Sequence, residues 1–145
     1  MKIKLKYDFT VDLATAHSRV SKKWRNRHWQ WSELLERCSE TKRTGETAEY
    51  TRMTREEQSN VKDVGGFVGG YLSGGIRKNT NVMYRSVATL DIDYGTLNVW
   101  EDFQMSFGFA AMIYSTHKHS DKTPRYRLVF PLNRQVTPAE YFVVR

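Results

Sequence analysis

The chain opens on a strict alternation in which Lys2, Lys4 and Lys6 stand between Ile3, Leu5 and Tyr7, the period of a half-exposed strand. Lysines along its outer side would guard such a strand as a sheet edge. From Ser21 to about Arg37 the period changes. Trp24, His28, Trp31 and Leu35 recur at spacings of four, three and four, which predicts a helix carrying them on one face. The tryptophans read as core contacts and the basic side chains between them as the outer surface. Residues 39–52 are polar and threonine-rich, with no period. Thr54-Arg-Glu-Glu57 is a capping box, in which threonine and glutamate each satisfy the other's end of a first helical turn, and it predicts a second helix.

The later part of the chain is more regular. Residues 86–93 read as a strand, 96–107 as a helix with Leu97, Trp100 and Phe103 on one side, and 109–117 as a second strand, together a βαβ unit. A polar turn over 118–124 leads into a third strand at 125–130. Thr137-Pro-Ala-Glu140 is another capping box, with proline at the first helical position. The helix it starts is too short to stand alone, so the expectation is a chain cut short before a last strand. Between the two parts, residues 63–78 hold six of the nine glycines. They match neither a Walker loop nor a Gly-x-Gly-x-x-Gly turn. They promise close backbone approach, to a ligand or to a packed neighbour.

Length and composition narrow the classes. At 145 residues the chain is one domain's worth. No apolar run approaches the roughly 18 residues of a membrane span, and the lysine-studded start lacks a signal peptide's apolar core. Membrane insertion and secretion are disfavoured, and the bacterial cytoplasm is the expected location. Cys38 stands alone, which rules out an internal disulfide and a cysteine-based zinc site and suits a reducing compartment. The formal net charge of +7 points to a polyanionic partner. Basic residues concentrate twice: in Arg19, Lys22, Lys23, Arg25 and Arg27, and in Lys118, Lys122, Arg125, Arg127 and Arg134. Lys22, Lys23, Arg25 and Lys118 are the candidate DNA contacts among them.

The chemistry sits in the regular part. Residues two apart on a strand share a face, so Asp91 and Asp93 point one way with Thr89, and Leu90 and Ile92 the other. Paired carboxylates repel unless a cation lies between them, and hard oxygen ligands suit Mg²⁺ or Mn²⁺. By the same rule Ser115 pairs with His117 and Arg125 with Arg127. If these sides coincide, one sheet face offers two carboxylates, a serine, an imidazole and two guanidiniums. That inventory would hold a metal-bound triphosphate, with the guanidiniums forking onto phosphate oxygens.

Leu90-Asp-Ile-Asp93 followed by Ser115-Thr-His117 resembles motifs I and II of the archaeo-eukaryotic primase superfamily. Lys62-Asp-Val-Gly-Gly-Phe-Val-Gly-Gly-Tyr71 and the string from Tyr114 to Pro131 are similar to the N-terminal primase-polymerase domains of phage and mobile-element replication proteins. The resemblance implies an α+β fold with an RRM-like catalytic sheet. Residues 86–145 would be a partial core lacking its last strand and its third acid, and residues 1–85 an N-terminal α/β module packed on it. It implies nucleotidyl transfer from NTP or dNTP on a single-stranded DNA template with two divalent metals, and little activity from this segment alone. Asp91 and Asp93 would bind Mg²⁺ or Mn²⁺, and His117 with Ser115 would contact the triphosphate. Arg125 and Arg127 would contact phosphate or template, and a helicase domain could follow in a longer chain. Arg43, Thr44, Glu46 and Tyr50 also recur in the family's text, with no physical role apparent.

Two other readings use the same residues. His117-Lys118-His119 is similar to the histidine pair of rolling-circle replication endonucleases, although Lys118 stands where a hydrophobic residue is wanted. His117, His119 and Asp121 could instead ligate zinc, but His119 reads better as a turn residue. A non-catalytic nucleic-acid-binding module would offer aromatics on its sheet for stacking, where this chain offers charges.

Overall fold

The computed structural model describes residues 2–44 and 49–144, with the side chains of the last two of these left aside. The fold is α+β with antiparallel sheets. Its elements in chain order are β1 (Thr10–Ala16), β2 (Arg25–Gln30), α1 (Trp31–Ser39), α2 (Arg55–Val61), β3 (Gly66–Val68), β4 (Gly70–Leu72), β5 (Val82–Ile92), α3 (Val99–Ser106), β6 (Met112–Ser115), β7 (Tyr126–Val136) and α4 (Pro138–Val144). The strands form a sheet of order β2-β1-β3 and a second of order β4-β5-β7-β6.

Both capping boxes form. Glu57 N donates to Thr54 Oγ1 at 3.2 Å while Thr54 N donates back to the Glu57 carboxylate at 2.7 Å, and Thr137 and Glu140 repeat the exchange. The βαβ reading also holds, with β7 inserted between β5 and β6. Trp100 stacks on Phe103, and Phe103 meets Phe109, which packs on Phe130 of β7. This aromatic layer defines the outer face of the second sheet.

Two expectations fail in the first part of the chain. The predicted helix from Ser21 to Arg37 is a strand followed by a helix. Arg25–Gln30 pairs along β1, from Thr10↔Gln30 to Thr15↔Arg25, and the helix starts only at Trp31. The tryptophan spacing misleads: Trp24 and Trp31 are buried, as a helix face would require, but Trp24 lies in the connection just before β2 and Trp31 opens α1. The new helix start is capped from outside. Asp8 accepts from Ser32 N at 3.1 Å and from Ser32 Oγ at 2.5 Å, and the serine bond holds its carboxyl below the usual range. The predicted strand at 2–8 is a segment without a ladder. Ile3 N donates to Glu36 of α1 at 2.6 Å and Leu5 packs on the core, so the alternation holds at these two positions against a helix and ends before the exposed Tyr7.

One core joins the two sheets. Val11, Leu13, Trp31 and Leu34 cluster with Val87 and Val129, and Met112 and Tyr114 pack against them. This contact defines the inner face of the second sheet. Residue 85, the expected module boundary, lies inside β5. Asp12 of β1 ties the same seam with polar bonds: its carboxylate accepts from Tyr84 Oη at 2.9 Å and Gln135 Nε2 at 3.1 Å and pairs with His28. Burial, then the bond to Asp12, pushes the Tyr84 hydroxyl up to about 12. Ser86, buried beside it, donates to Asp12 O and accepts from Asp12 N.

The glycine-rich stretch is what lets the sheets meet. Gly69 stands between β3 in the first sheet and β4 in the second, and its carbonyl accepts from both Ser86 N and Val87 N, across the irregularity in β5. A Cβ on Gly69 would lie 2.3 Å from Val87 O, and one on Gly70 would lie 2.2 Å from Tyr84 O. For these two residues the close partner is β5. Gly69→Ala and Gly70→Ala are each expected to cost roughly 1–3 kcal/mol in urea unfolding, the range for overpacking. Gly66→Ala, with nothing within 4 Å of its added Cβ, is the matched control and should be near neutral. Equal effects at all three positions would contradict this account of the join.

Candidate functional site

The inner face carries charge where it runs out from the core. Val87 is buried in the shared core, so Thr89 and Asp91, two and four residues on, point the same way. Asp91 stands opposite Arg127 of β7, and Arg127 opposite Tyr114 of β6. Directly opposed residues of antiparallel strands share a face, so these three line up across the sheet. Arg127 Nε donates to Asp91 Oδ1 at 2.7 Å. One step further along the same face, Arg125 Nη1 donates to Asp93 Oδ1 at 3.0 Å. The two carboxylates therefore share a face, and each is held by one guanidinium.

Ser115 does not join them. It stands opposite Tyr126, which stands opposite Ile92, and this row belongs to the outer face with α3. The expectation that the Ser115 side coincides with the Asp91 side is corrected: pairing puts Tyr114 in the row with Asp91. His117 lies past the end of β6, where its Nε2 is 3.0 Å from Thr44 Oγ1 and its ring is 4.6 Å from that of Tyr50. Thr44 and Tyr50, without a role in the sequence, hold this imidazole. Glu46 lies outside the described residues. His119 closes the turn instead, donating its N–H to Thr116 O and accepting from Arg125 N at its Nδ1. The two histidines thus serve different partners. Among the described residues no three His, Cys, Asp or Glu side chains come together as a metal cluster, so His117, His119 and Asp121 form no zinc site.

Lys118 is exposed in that turn, and Lys22, Lys23 and Arg25 are exposed around the start of β2. Lys118 is in the turn where it is expected, whereas Lys22, Lys23 and Arg25 lie on a connection and a strand in place of the predicted helix.

The electrostatics of the pairs favour exchange. The side chains of Asp91 and Asp93 are 59% and 60% exposed, so each ion pair is of the surface kind, worth about 0.2–1 kcal/mol. A stronger cation could displace the arginines at little cost. Burial opposes the charge on Arg127, yet the combined pull of Asp91 and Tyr114 holds its pKa above the ordinary value. Beneath it, burial pushes the Cys38 thiol up to about 11, with Arg127 pulling weakly the other way.

A family model for the VapE N-terminal domain matches residues 1–145. The chain belongs to the VapE N-terminal domain family. VapE proteins are associated with the replication of phage and mobile elements. No curated protein and no solved structure matches the chain. Among the described residues of this VapE domain, no helix is long and apolar enough to cross a membrane.

The half-buried thiol of Cys38 gives a direct probe of the packing beneath Arg127. At mildly alkaline pH, Cys38 of the folded domain is expected to react with iodoacetamide roughly 100-fold more slowly than in the urea-unfolded chain, since its thiolate forms about two pH units later. Equal rates would mean that Cys38 is not packed against the shared core beneath Arg127.

Proposed function

We propose that this VapE domain is the nucleotide-handling part of a DNA primase-polymerase, which transfers nucleotides from NTP or dNTP to a template-directed strand using two divalent metals. One observation carries the reading: two exposed carboxylates and two half-buried guanidiniums stand paired across neighbouring strands at one end of the sheet. The donor chemistry fits. Mg²⁺ and Mn²⁺ usually take one or two protein carboxylates and complete their shells with water and substrate phosphate, which Asp91 and Asp93 can supply. When bound, such a metal neutralises triphosphate charge and polarises the attacking hydroxyl.

The chain's own residues divide the remaining work. Asp91 and Asp93 hold the cation, and Arg125 and Arg127, released from them, turn their planar forks to phosphate oxygens. His117, its ring held by Thr44 and Tyr50, is the further candidate donor to phosphate. Ser115, on the outer face, has no part in this scheme. The order β5-β7-β6, with its βαβ crossover, supports an RRM-like sheet as the scaffold, and a single-stranded DNA template is the polyanion that the net charge suits.

Calorimetric titration of dNTP into the domain with Mn²⁺ tests the reading. Binding is expected to require the metal, to fall by roughly tenfold or more in Asp91→Asn, as loss of a metal's partners does, and to weaken by about tenfold in Arg127→Gln, the size of a charge-assisted hydrogen bond. Triphosphate binding that ignores both the metal and Asp91→Asn would leave the domain a non-catalytic nucleic-acid module.

A further inference from the structure

A groove of about 550 Å³ runs from the glycine-rich segment to the carboxylate row. It opens where β4 stops: β4 pairs only with the Val82–Arg85 portion of β5, and beyond Val87, which Gly69 still holds, that edge of β5 runs on without a strand partner. Its walls carry Arg19, Arg77, Lys78, Arg85 and Arg127 against a single acid, Asp91. These cations come from the β1–β2 connection, the loop before β5, and strands β5 and β7, far apart in the chain. Like charges gathered in one concavity repel, and the low-dielectric walls focus their field on whatever enters.

We propose that this groove holds the phosphodiester backbone of a single-stranded nucleic acid and delivers it toward Asp91. The proposal rests on the reading above only for the end at which the strand meets the carboxylates. Three observations favour a strand over a lone nucleotide. Five cations line the groove, more than one triphosphate needs, and others stand just outside it. Trp24 N donates to Gly75 O at 2.7 Å, which docks the exposed Lys22–Lys23 stretch against the loop that carries Arg77 and Lys78. Two guanidiniums are also braced on rings, Arg77 over Trp24 at 5.2 Å and Arg85 over Tyr141 at 4.5 Å. Such planes serve the backbone and stacked bases of single strands. Arg19 is steadied by Asn60 at 3.3 Å and by Asp63.

The test is the salt dependence of binding to labelled oligo(dT), followed by fluorescence anisotropy without metal or nucleotide. Each phosphate contact to a single strand contributes about 0.7 to the slope of log affinity against log salt. The Arg77→Gln/Lys78→Gln/Arg85→Gln variant is expected to be less steep by about 2, and Arg77→Gln/Lys78→Gln, which spares the Arg85–Tyr141 contact, by about 1.4. Lys2→Gln/Lys4→Gln/Lys6→Gln removes the same charge from an exposed segment elsewhere and should leave the slope as it was. Unchanged slopes in the groove variants, or an equal loss in the lysine control, would overturn the proposal. So would groove variants that lose dNTP affinity while keeping their oligo(dT) slope, since the groove would then belong to the nucleotide. Because metal is absent, a failed Asp91 reading leaves these slopes intact, and failed slopes leave the metal-dependent dNTP titration intact.

Discussion

The register of β5 against β7 is the constraint on which the rest depends. Side chains alternate with a period of two, so a slip of one residue would turn every inward residue outward. In the observed register Val87 and Val129 fall on the buried face with Leu13 and Trp31, and Asp91 falls opposite Arg127. The apolar end of the ladder thereby fixes the charged end. Burial of the two valines selects the register, and the register delivers the carboxylates and guanidiniums to one exposed patch. No separate energy is needed to assemble the site.

The second sheet can use this register only because the first sheet closes over it. Gly69 and Gly70 let the chain cross from one sheet to the other at a distance no side chain would allow. Asp12 then pins β1 to Tyr84 of β5 and Gln135 of β7, and pairs with His28 of β2. Carboxylates drawn out of water are costly unless hydrogen-bonded, and this half-buried one is satisfied by three strands at once. The same closure leaves open the cation-lined groove, because β4 is too short to cover all of β5.

Much of this was legible in the sequence, and the rest failed for physical reasons. Both capping boxes, the βαβ unit and the shared face of Asp91 and Asp93 follow from local patterns, which need no knowledge of the partner strand. The face of Ser115 depends on which residue of β7 it opposes, and alternation within one strand cannot say. The 21–37 segment misled because Trp24, buried just before β2, and Trp31, buried at the start of the following helix, mimic one helical face. The holders of His117, Thr44 and Tyr50, lie some seventy residues before it, beyond any local pattern. Close backbone approach was readable in the glycines, but its partner, β5, was not.

The carboxylate–guanidinium pairs of the inner face, aligned by the core register, are the proposed metal and triphosphate site. Paramagnetic broadening of backbone amide signals by Mn²⁺ in the presence of dNTP tests it most directly. The account requires broadening centred on Asp91 and Asp93 and on Arg125 and Arg127 across the ladder, with the outer-face helix α3 unaffected. Broadening centred instead on the turn that holds His119 and Asp121, or none at all, would contradict it.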